Sequence, residues 1–152
     1  MTVMNRFIAL AAALGVLLIV PVVRAQMSSA PTVAVIRDPG CGCCLGWVAH
    51  MQKAGFKTTV TESAQRMQQT PGVPASARSC HTATIDGYLV EGHVPVDDVR
   101  KMLRERPKIA GIAAPGMPVG SPGMEMPSGQ VQAYDVIAFD KAGKTTVFAS
   151  HR

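Results

Sequence analysis

Three of the chain's cysteines, Cys41, Cys43 and Cys44, lie within four residues and follow closely on a short apolar run. That run, residues 32–36, is rich in β-branched side chains and is typical of a buried strand. Residues 38–40, an Asp-Pro-Gly sequence, end it, and apolar side chains then recur at helical spacing. The cysteines are therefore predicted to lie in the turn between a first strand and a first helix.

The chain continues with alternating strand and helix signals. Residues 57–61 are predicted to form a second strand, residues 62–69 a short helix, and residues 95–107 a helix that starts and stops at prolines. Between them, two apolar runs flank Asp86-Gly87, a dipeptide that favours the positive φ angles of a type I′ hairpin turn. The resulting order, β-α-β-α-β-β-α over residues 32–107, is that of a thioredoxin-like α/β sandwich.

We expect three segments along the chain. Residues 1–25 combine an early positive charge, a long apolar run and a final alanine, which predicts a cleaved secretory signal rather than a membrane anchor, and hence a periplasmic protein. Residues 26–107 form the thioredoxin-like domain, and residues 108–152 form a C-terminal extension. The extension begins with a stretch rich in Pro, Gly and Met, without regular structure over residues 114–127, and ends in a β-hairpin over residues 134–149.

Composition argues against several classes of protein. With 152 residues the chain has room for one modest domain. The formal net charge is +5, but Lys and Arg are scattered apart from a run over residues 100–108, which is typical of a solvated helix face. Aromatic residues make up only 5%, too few for a base-stacking platform. We therefore expect no nucleic-acid partner, and a monomer.

The cysteines indicate metal or redox chemistry. Cys41 and Cys44 have the C-x-x-C spacing of a redox motif, at a helix N-terminus whose N–H groups stabilise a thiolate. Cys43 adds a sulfur that a dithiol switch does not need, and clustered thiolates repel each other unless protons or a soft cation neutralise them. Copper(I) and zinc are the leading candidates. Cys80 precedes the third strand, and in a thioredoxin-like sheet the loop there faces the C-x-x-C turn.

Methionines favour copper over zinc. Met117, Met124 and Met126 lie in the Pro/Gly-rich stretch with no apolar periodicity, and thioethers are soft ligands that suit copper(I). The histidines leave two interpretations open. His81, next to Cys80, and His93, after the hairpin, are each either metal ligands or hydrogen-bonded structural residues.

Four blocks of the sequence resemble the CopG-like family of copper-resistance proteins. They run from Asp38 to Trp47, from Ser79 to Thr82, from Gly87 to Pro95 and from Gly116 to Glu125. The resemblance implies a periplasmic thioredoxin-like domain whose C-terminal extension helps to bind metal. It also implies copper held in a cluster bridged by cysteine sulfurs, and interconversion of copper(I) and copper(II) beside copper efflux systems.

Carried onto this chain, the resemblance implies thiolate ligands at Cys41, Cys43, Cys44 and Cys80. The three loop methionines and His81 or His93 would complete the ligand set. We therefore expect a periplasmic copper-binding protein with several copper ions and electron transfer at copper, which would make it a copper oxidoreductase. Its expected partners are copper ions and a copper efflux system or another periplasmic copper protein.

Three alternatives remain at this point. The first is a metal-independent thiol–disulfide oxidoreductase with Cys41 and Cys44 as catalytic residues, which leaves Cys43 and the methionines without a role. The second is a copper chaperone or storage module without turnover, which uses the same ligands. The third is a domain stapled by structural disulfides. It is disfavoured because bonds among three cysteines in four residues constrain almost no chain.

Overall fold

The computed structural model of the protein describes residues 31–152, and the predicted signal peptide, residues 1–25, lies outside the described residues. The strands are β1 (Thr32–Arg37), β2 (Lys57–Glu62), β3 (His81–Ile85), β4 (Tyr88–Gly92), β5 (Gly111–Ala114), β6 (Tyr134–Phe139) and β7 (Thr145–His151). The helices are α1 (Gly42–Lys53), α2 (Arg66–Gln69) and α3 (Val96–Glu105), and residues Ala75–Ala77 form one 3₁₀ turn.

All seven strands belong to one sheet in the order β2-β1-β3-β4-β5-β6-β7. Strand β1 pairs in parallel with β2, and β4 pairs in parallel with β5. The other neighbours are antiparallel. The two parallel pairs are joined through α1 and α3, because parallel strands need a crossover connection. The α/β class expected from the sequence is confirmed.

The β3–β4 hairpin follows from its turn. Asp86 and Gly87 have φ angles of +49° and +85°, the left-handed values that a type I′ turn requires. This turn pairs Ile85 with Tyr88 and, further along, Thr82 with Glu91. Because a two-residue turn fixes the register, every later cross-strand pair of the hairpin is set by Asp86-Gly87.

Two details differ from the sequence-based prediction. Strand β5, just before the Pro/Gly-rich stretch, was not predicted, because its four residues offer no alternating pattern. Gly111 opens it, where a Cβ atom would lie 2.1 Å from the Leu89 carbonyl oxygen, so the strand reaches β4 only without a side chain there. The predicted helix over 62–69 is shorter than expected, since Glu62 ends β2 and α2 starts at Arg66.

The main hydrophobic core joins α1 and α3 to five strands of the sheet, β1 and β3 to β6. Its largest fully buried members include Trp47, Met51, Ile85, Met102 and Ile112. Because the core takes in Val136 and Ala138 of β6, it is continuous from the first strand into the C-terminal hairpin. Within residues 31–152, no helix combines the length and apolar character needed to cross a bilayer.

Candidate metal centre

The pairing of three strands brings distant cysteine and histidine residues to one end of the sheet. Strand β1 pairs antiparallel with β3, with Arg37 opposite His81. The same register continues one step further, where the Asp38 N–H donates to the Cys80 carbonyl at 3.1 Å. The β3–β4 register, continued past the strand ends, likewise brings His93 beside Cys80. Strand pairing therefore determines where the fourth cysteine lies.

The turn that bears the other cysteines is held by backbone and arginine contacts. Gly40 has a φ angle of +74°, which lets the chain reverse after β1, and the Cys41 N–H donates to the Asp38 carbonyl at 3.3 Å. Arg37 donates to the Cys41 carbonyl at 3.0 Å and forms an ion pair with Glu62 of β2. Cys41 is the N-cap residue of α1 and makes no side-chain capping hydrogen bond, so the cysteines lie at the helix end whose first N–H groups have no partner within the helix.

The four cysteine sulfurs form one compact group. Cys41 and Cys44 are joined by a disulfide, with their Cα atoms 5.5 Å apart, while Cys43 and Cys80 are thiols. The Sγ atom of Cys43 lies 3.5 Å from that of Cys41, and the Sγ atom of Cys80 lies 3.4 Å from that of Cys44. All four sulfurs lie within 4.8 Å of one another. This spacing allows one soft cation to contact more than one of them.

Two fully buried histidines adjoin this group. The Nε2 atom of His93 lies 3.3 Å from the Cys80 sulfur, and the His93 Nδ1–H donates to the Pro122 carbonyl at 2.9 Å. Since a carbonyl only accepts, Nδ1 carries the proton and Nε2 presents its lone pair toward the sulfur. The Nδ1 atom of His81 lies 3.7 Å from the same sulfur, and its Nε2 atom has no hydrogen-bond partner among residues 31–152.

Burial sets the protonation states of these groups. It raises the pKa of the Cys80 thiol to about 11, with the nearby Cys43 adding to the effect. It lowers the pKa of His81 to about 3, helped by the positive charges of His93 and Arg66. Burial also lowers the pKa of His93. Both imidazoles are therefore neutral at pH 7, which is the form that coordinates metal ions.

The loop between β5 and β6, residues 115–133, packs against α1 just behind the cysteines. A Cβ atom on Gly123 would lie 2.6 Å from both the Cys43 carbonyl oxygen and the Trp47 nitrogen, so the two backbones touch. The Nε2 atom of His50 on α1 lies 2.6 Å from the carboxylate of Glu125 in the loop. Through this contact the loop brings the Pro122 carbonyl to His93.

The predicted methionine ligands lie in the same loop, and two of them are more exposed than any of the cysteines. Met117 and Met126 are 54% and 47% exposed, whereas Met124 is half-buried like Cys41, Cys43 and Cys80. The structure therefore brings together the cysteines with His81 and His93, and leaves the methionines around them on the docked loop.

Sequence reasoning missed a buried ion pair beside the site. Arg66 donates to Glu91 at 3.0 Å, and the two side chains are 2% and 0% exposed. Burial alone would lower the pKa of Arg66, but the hydrogen bond to Asp38 and the charge of Glu91 outweigh it, and that pKa is raised. The one available signal was Glu91 itself, a charged residue on an otherwise apolar strand, which needs a buried partner.

Comparison with known proteins identifies close relatives. A solved structure of copper resistance protein CopG, Form 1, shares 47% identity with a TM-score of 0.74, and the match covers 79% of this chain and 96% of that one. Form 2 shares 45% identity with a TM-score of 0.75, covering 81% of this chain and 99% of that one. The family described as "Protein of unknown function, DUF411" matches residues 77–124. No curated protein matches this chain.

Proposed function

Because the chain belongs to the CopG family of copper-resistance proteins, we propose that it binds copper at the cysteine group and changes the oxidation state of the bound metal. The observation that carries the proposal is the convergence of four sulfurs from two distant segments within 4.8 Å. Cysteine sulfur is a soft ligand that favours copper(I), and imidazole accepts copper in either oxidation state.

The proposed ligands divide into three kinds. The thiolates of Cys41, Cys43, Cys44 and Cys80 would hold more than one copper ion, and the sulfur spacings of 3.4 and 3.5 Å are short enough for them to share the metal. Nitrogen atoms of His93 and His81 add borderline ligands. Thioether sulfurs complete the set from the β5–β6 loop, at Met117, Met124 and Met126.

Copper binding requires the reduced form of the site. With Cys41 and Cys44 joined in a disulfide, only Cys43 and Cys80 have a thiol to ionise. A two-electron reduction by an external dithiol returns the other two thiols and oxidises the dithiol to its disulfide. Zinc is a weaker candidate, because thioether loops hold little attraction for it.

The fold supports a change of oxidation state without large motion. The sulfur and nitrogen atoms lie at the ends of paired strands and at the first turn of a helix, all attached to one core. We interpret residues 26–107 as a thioredoxin-like domain and residues 108–152 as the extension that adds loop ligands. We further propose that residues 1–25 export the protein to the periplasm, where a copper efflux system or another copper protein is its partner.

One observation favours a second function, thiol–disulfide exchange without metal. Cys41 and Cys44 form the disulfide of a C-x-x-C motif, and the Cys80 sulfur lies 3.4 Å from Cys44. A thiolate at Cys80 attacking Cys44 would form the 44–80 bond and release Cys41 as thiolate. This function predicts disulfide reductase activity that copper inhibits. A chaperone or storage role would instead leave the bound copper in one oxidation state.

The test loads the purified protein with copper(I) after reduction under nitrogen. We expect more than one copper ion per chain, charge-transfer absorption from thiolate to copper, and retention of the metal through a cycle of oxidation in air and reduction. Cys43→Ser should lower the copper count, while Met67→Leu, an exposed methionine outside the loop, should leave it unchanged. A protein that keeps no copper and reduces insulin at its full rate would contradict the proposal and favour thiol exchange.

A further inference from the structure

Arg66 is placed at the junction of the two segments that carry the cysteines. Its side chain is 2% exposed, although it opens the short helix α2, whose other three residues are exposed. On one side its Nε donates to the Asp38 carboxylate at 3.0 Å, three residues before Cys41. On the other side its Nη2 donates to the carbonyl of Ser79, the residue before Cys80. One guanidinium therefore ties both segments together.

Glu91 completes the hold on the segment before Cys80. Its Oε1 atom accepts from the Ser79 N–H at 2.7 Å and from Arg66 Nη1 at 3.0 Å. The Thr82 hydroxyl donates to the other carboxylate oxygen, and Arg66 Nη1 also donates to Thr82 Oγ1 at 2.8 Å. Both backbone groups of Ser79 are thus bound by the buried ion pair, the N–H by Glu91 and the C=O by Arg66.

The energetic cost of burying this ion pair indicates that its main role is to position other groups and not to stabilise the fold. A buried ion pair loses much of its hydration, and well-packed apolar side chains of the same volume often stabilise a fold as well or better. A planar guanidinium with five donors in fixed directions, however, fixes the relative placement of the groups it contacts. Here those groups are the approaches to Cys41 and to Cys80.

We propose that Arg66, with Glu91, is a positioning residue that holds Cys80 against the Cys41–Cys44 turn. Its effect on copper rests on the proposed function, but its effect on the distance between sulfurs does not. The first test therefore uses no metal. In a Cys41→Ser, Cys43→Ser background only Cys44 and Cys80 remain, with sulfurs that lie 3.4 Å apart in the parent structure.

The metal-free test measures how fast this pair closes to a disulfide. Oxidised glutathione is the oxidant and is reduced to glutathione as the bond forms. Arg66→Met combined with Glu91→Gln removes both buried charges together, so that no unpaired charge is left in the core; the third partner, Asp38, is half-exposed. We expect closure to slow by about tenfold or more, since a misplacement near 1 Å can cost a reaction about a hundredfold.

Two further variants keep the test decisive. Arg66→Lys keeps the positive charge but lacks the planar guanidinium with its fixed donor directions. We expect its disulfide to close at a rate between those of the parent and the double variant. Arg100→Met is the matched control, because Arg100 is half-exposed on α3 and contacts Ala54 and Asp97, and its rate should equal that of the parent. Rates are compared at a temperature where circular dichroism shows every variant folded. A purely structural role would lower the melting temperature and leave closure unchanged.

The copper arm uses the chain with all four cysteines and compares copper(I) affinity by competition with a chelator. We expect the double variant to bind about tenfold or more weakly, with altered charge-transfer bands. If the double variant folds and closes its disulfide at the parent rate, the inference is overturned. If it does not fold, parental closure by Arg66→Lys overturns it. If the parent itself binds no copper, the proposed function fails, and the closure rates still decide the role of Arg66.

Discussion

The His93 Nε2 atom lies 3.3 Å from the Cys80 sulfur, and its other ring nitrogen donates to the Pro122 carbonyl at 2.9 Å. The imidazole therefore connects the cysteine before β3 to the loop between β5 and β6. Because the bond to Pro122 selects the tautomer, the loop decides which nitrogen faces the sulfur.

Gly123→Ala should disturb this connection. A Cβ atom there would lie 2.6 Å from the Cys43 carbonyl oxygen, and the φ angle of +87° is strained for alanine. The loop has to move away from α1 and take the Pro122 carbonyl with it. Loss of such an outer partner typically weakens metal binding by about 10–100-fold, and we expect a loss of this size in copper(I) affinity by chelator competition.

Gly129→Ala is the control for that change. Gly129 lies in the same loop with a φ angle of +70°, but a Cβ atom there would meet nothing within 4 Å. It should share the backbone strain without the displacement, so copper affinity should stay at the parental value. Equal losses of affinity in both variants would show that strain, and not the contact with α1, is responsible.

Met124→Leu should weaken copper binding while leaving the fold intact. Leucine keeps the volume and apolar character of methionine but removes the thioether sulfur. Met67→Leu removes a sulfur from an exposed side chain on α2 and is the matched control. We expect a measurable fall in copper(I) affinity for the first variant only. An unchanged affinity, with unchanged X-ray absorption of the bound copper, would remove Met124 from the ligand set.

Trp47→Phe should destabilise the protein. The buried indole N–H donates to the Val94 carbonyl at 2.8 Å, and phenylalanine leaves that carbonyl without its partner. An unsatisfied buried polar group costs about 1–3 kcal/mol, and the smaller ring adds a cavity. Urea unfolding followed by circular dichroism should show a lower midpoint with an unchanged slope. A midpoint equal to that of the parent would mean that water or another donor replaces the indole.

The protein should become less stable in strong alkali, because the Tyr134 phenol loses its proton at a lower pH in the unfolded chain than in the folded one. Burial, with the charge of Asp98, raises the pKa of Tyr134 to about 12. The ring stacks on His151, which is bound to Asp98 at 2.7 Å, and Arg152 donates to the Tyr134 carbonyl. Between about pH 10 and pH 12 the unfolded chain loses the phenol proton and the folded chain keeps it, so stability falls as pH rises.

The check compares urea unfolding midpoints of the parent and Tyr134→Phe across this pH range. The variant has no phenol to ionise at this position, and its midpoint should fall less steeply from pH 10 upward. Both proteins should behave alike near pH 8, where the phenol is protonated in either state. Parallel decline of the two midpoints would refute the assignment.

Local signals in the sequence were sufficient for part of the architecture. The Asp86-Gly87 turn specifies its own backbone angles, and the sequence from Asp38 to Cys44 marks where a strand gives way to a helix. Each depends on residues adjacent in the chain, so the sequence carried the information. The α/β class followed from the order of these elements.

Contacts between residues that are distant in the chain could not be predicted from such local signals. Arg66 and Glu91 are 25 positions apart and meet only through the sheet. His151 lies at the end of β7, which pairs with β6, and its Nε2 atom lies 2.7 Å from the Asp98 carboxylate of α3. The pairing of His93 with Pro122 likewise depends on how the loop docks. No spacing rule in one sequence specifies such partners.

The antiparallel pairing of β1 with β3 also sets the order in which the four thiols come together as the chain folds. In an extended chain only the three thiols of residues 41–44 are close together, and Cys80 joins them once the Asp38 N–H is hydrogen-bonded to its carbonyl. The complete coordination pocket is thus a product of tertiary assembly. The rate at which the full copper affinity develops should therefore follow the rate of folding, and it can be measured by mixing denatured chains with copper(I) and recording the rise of ultraviolet thiolate-to-copper absorption.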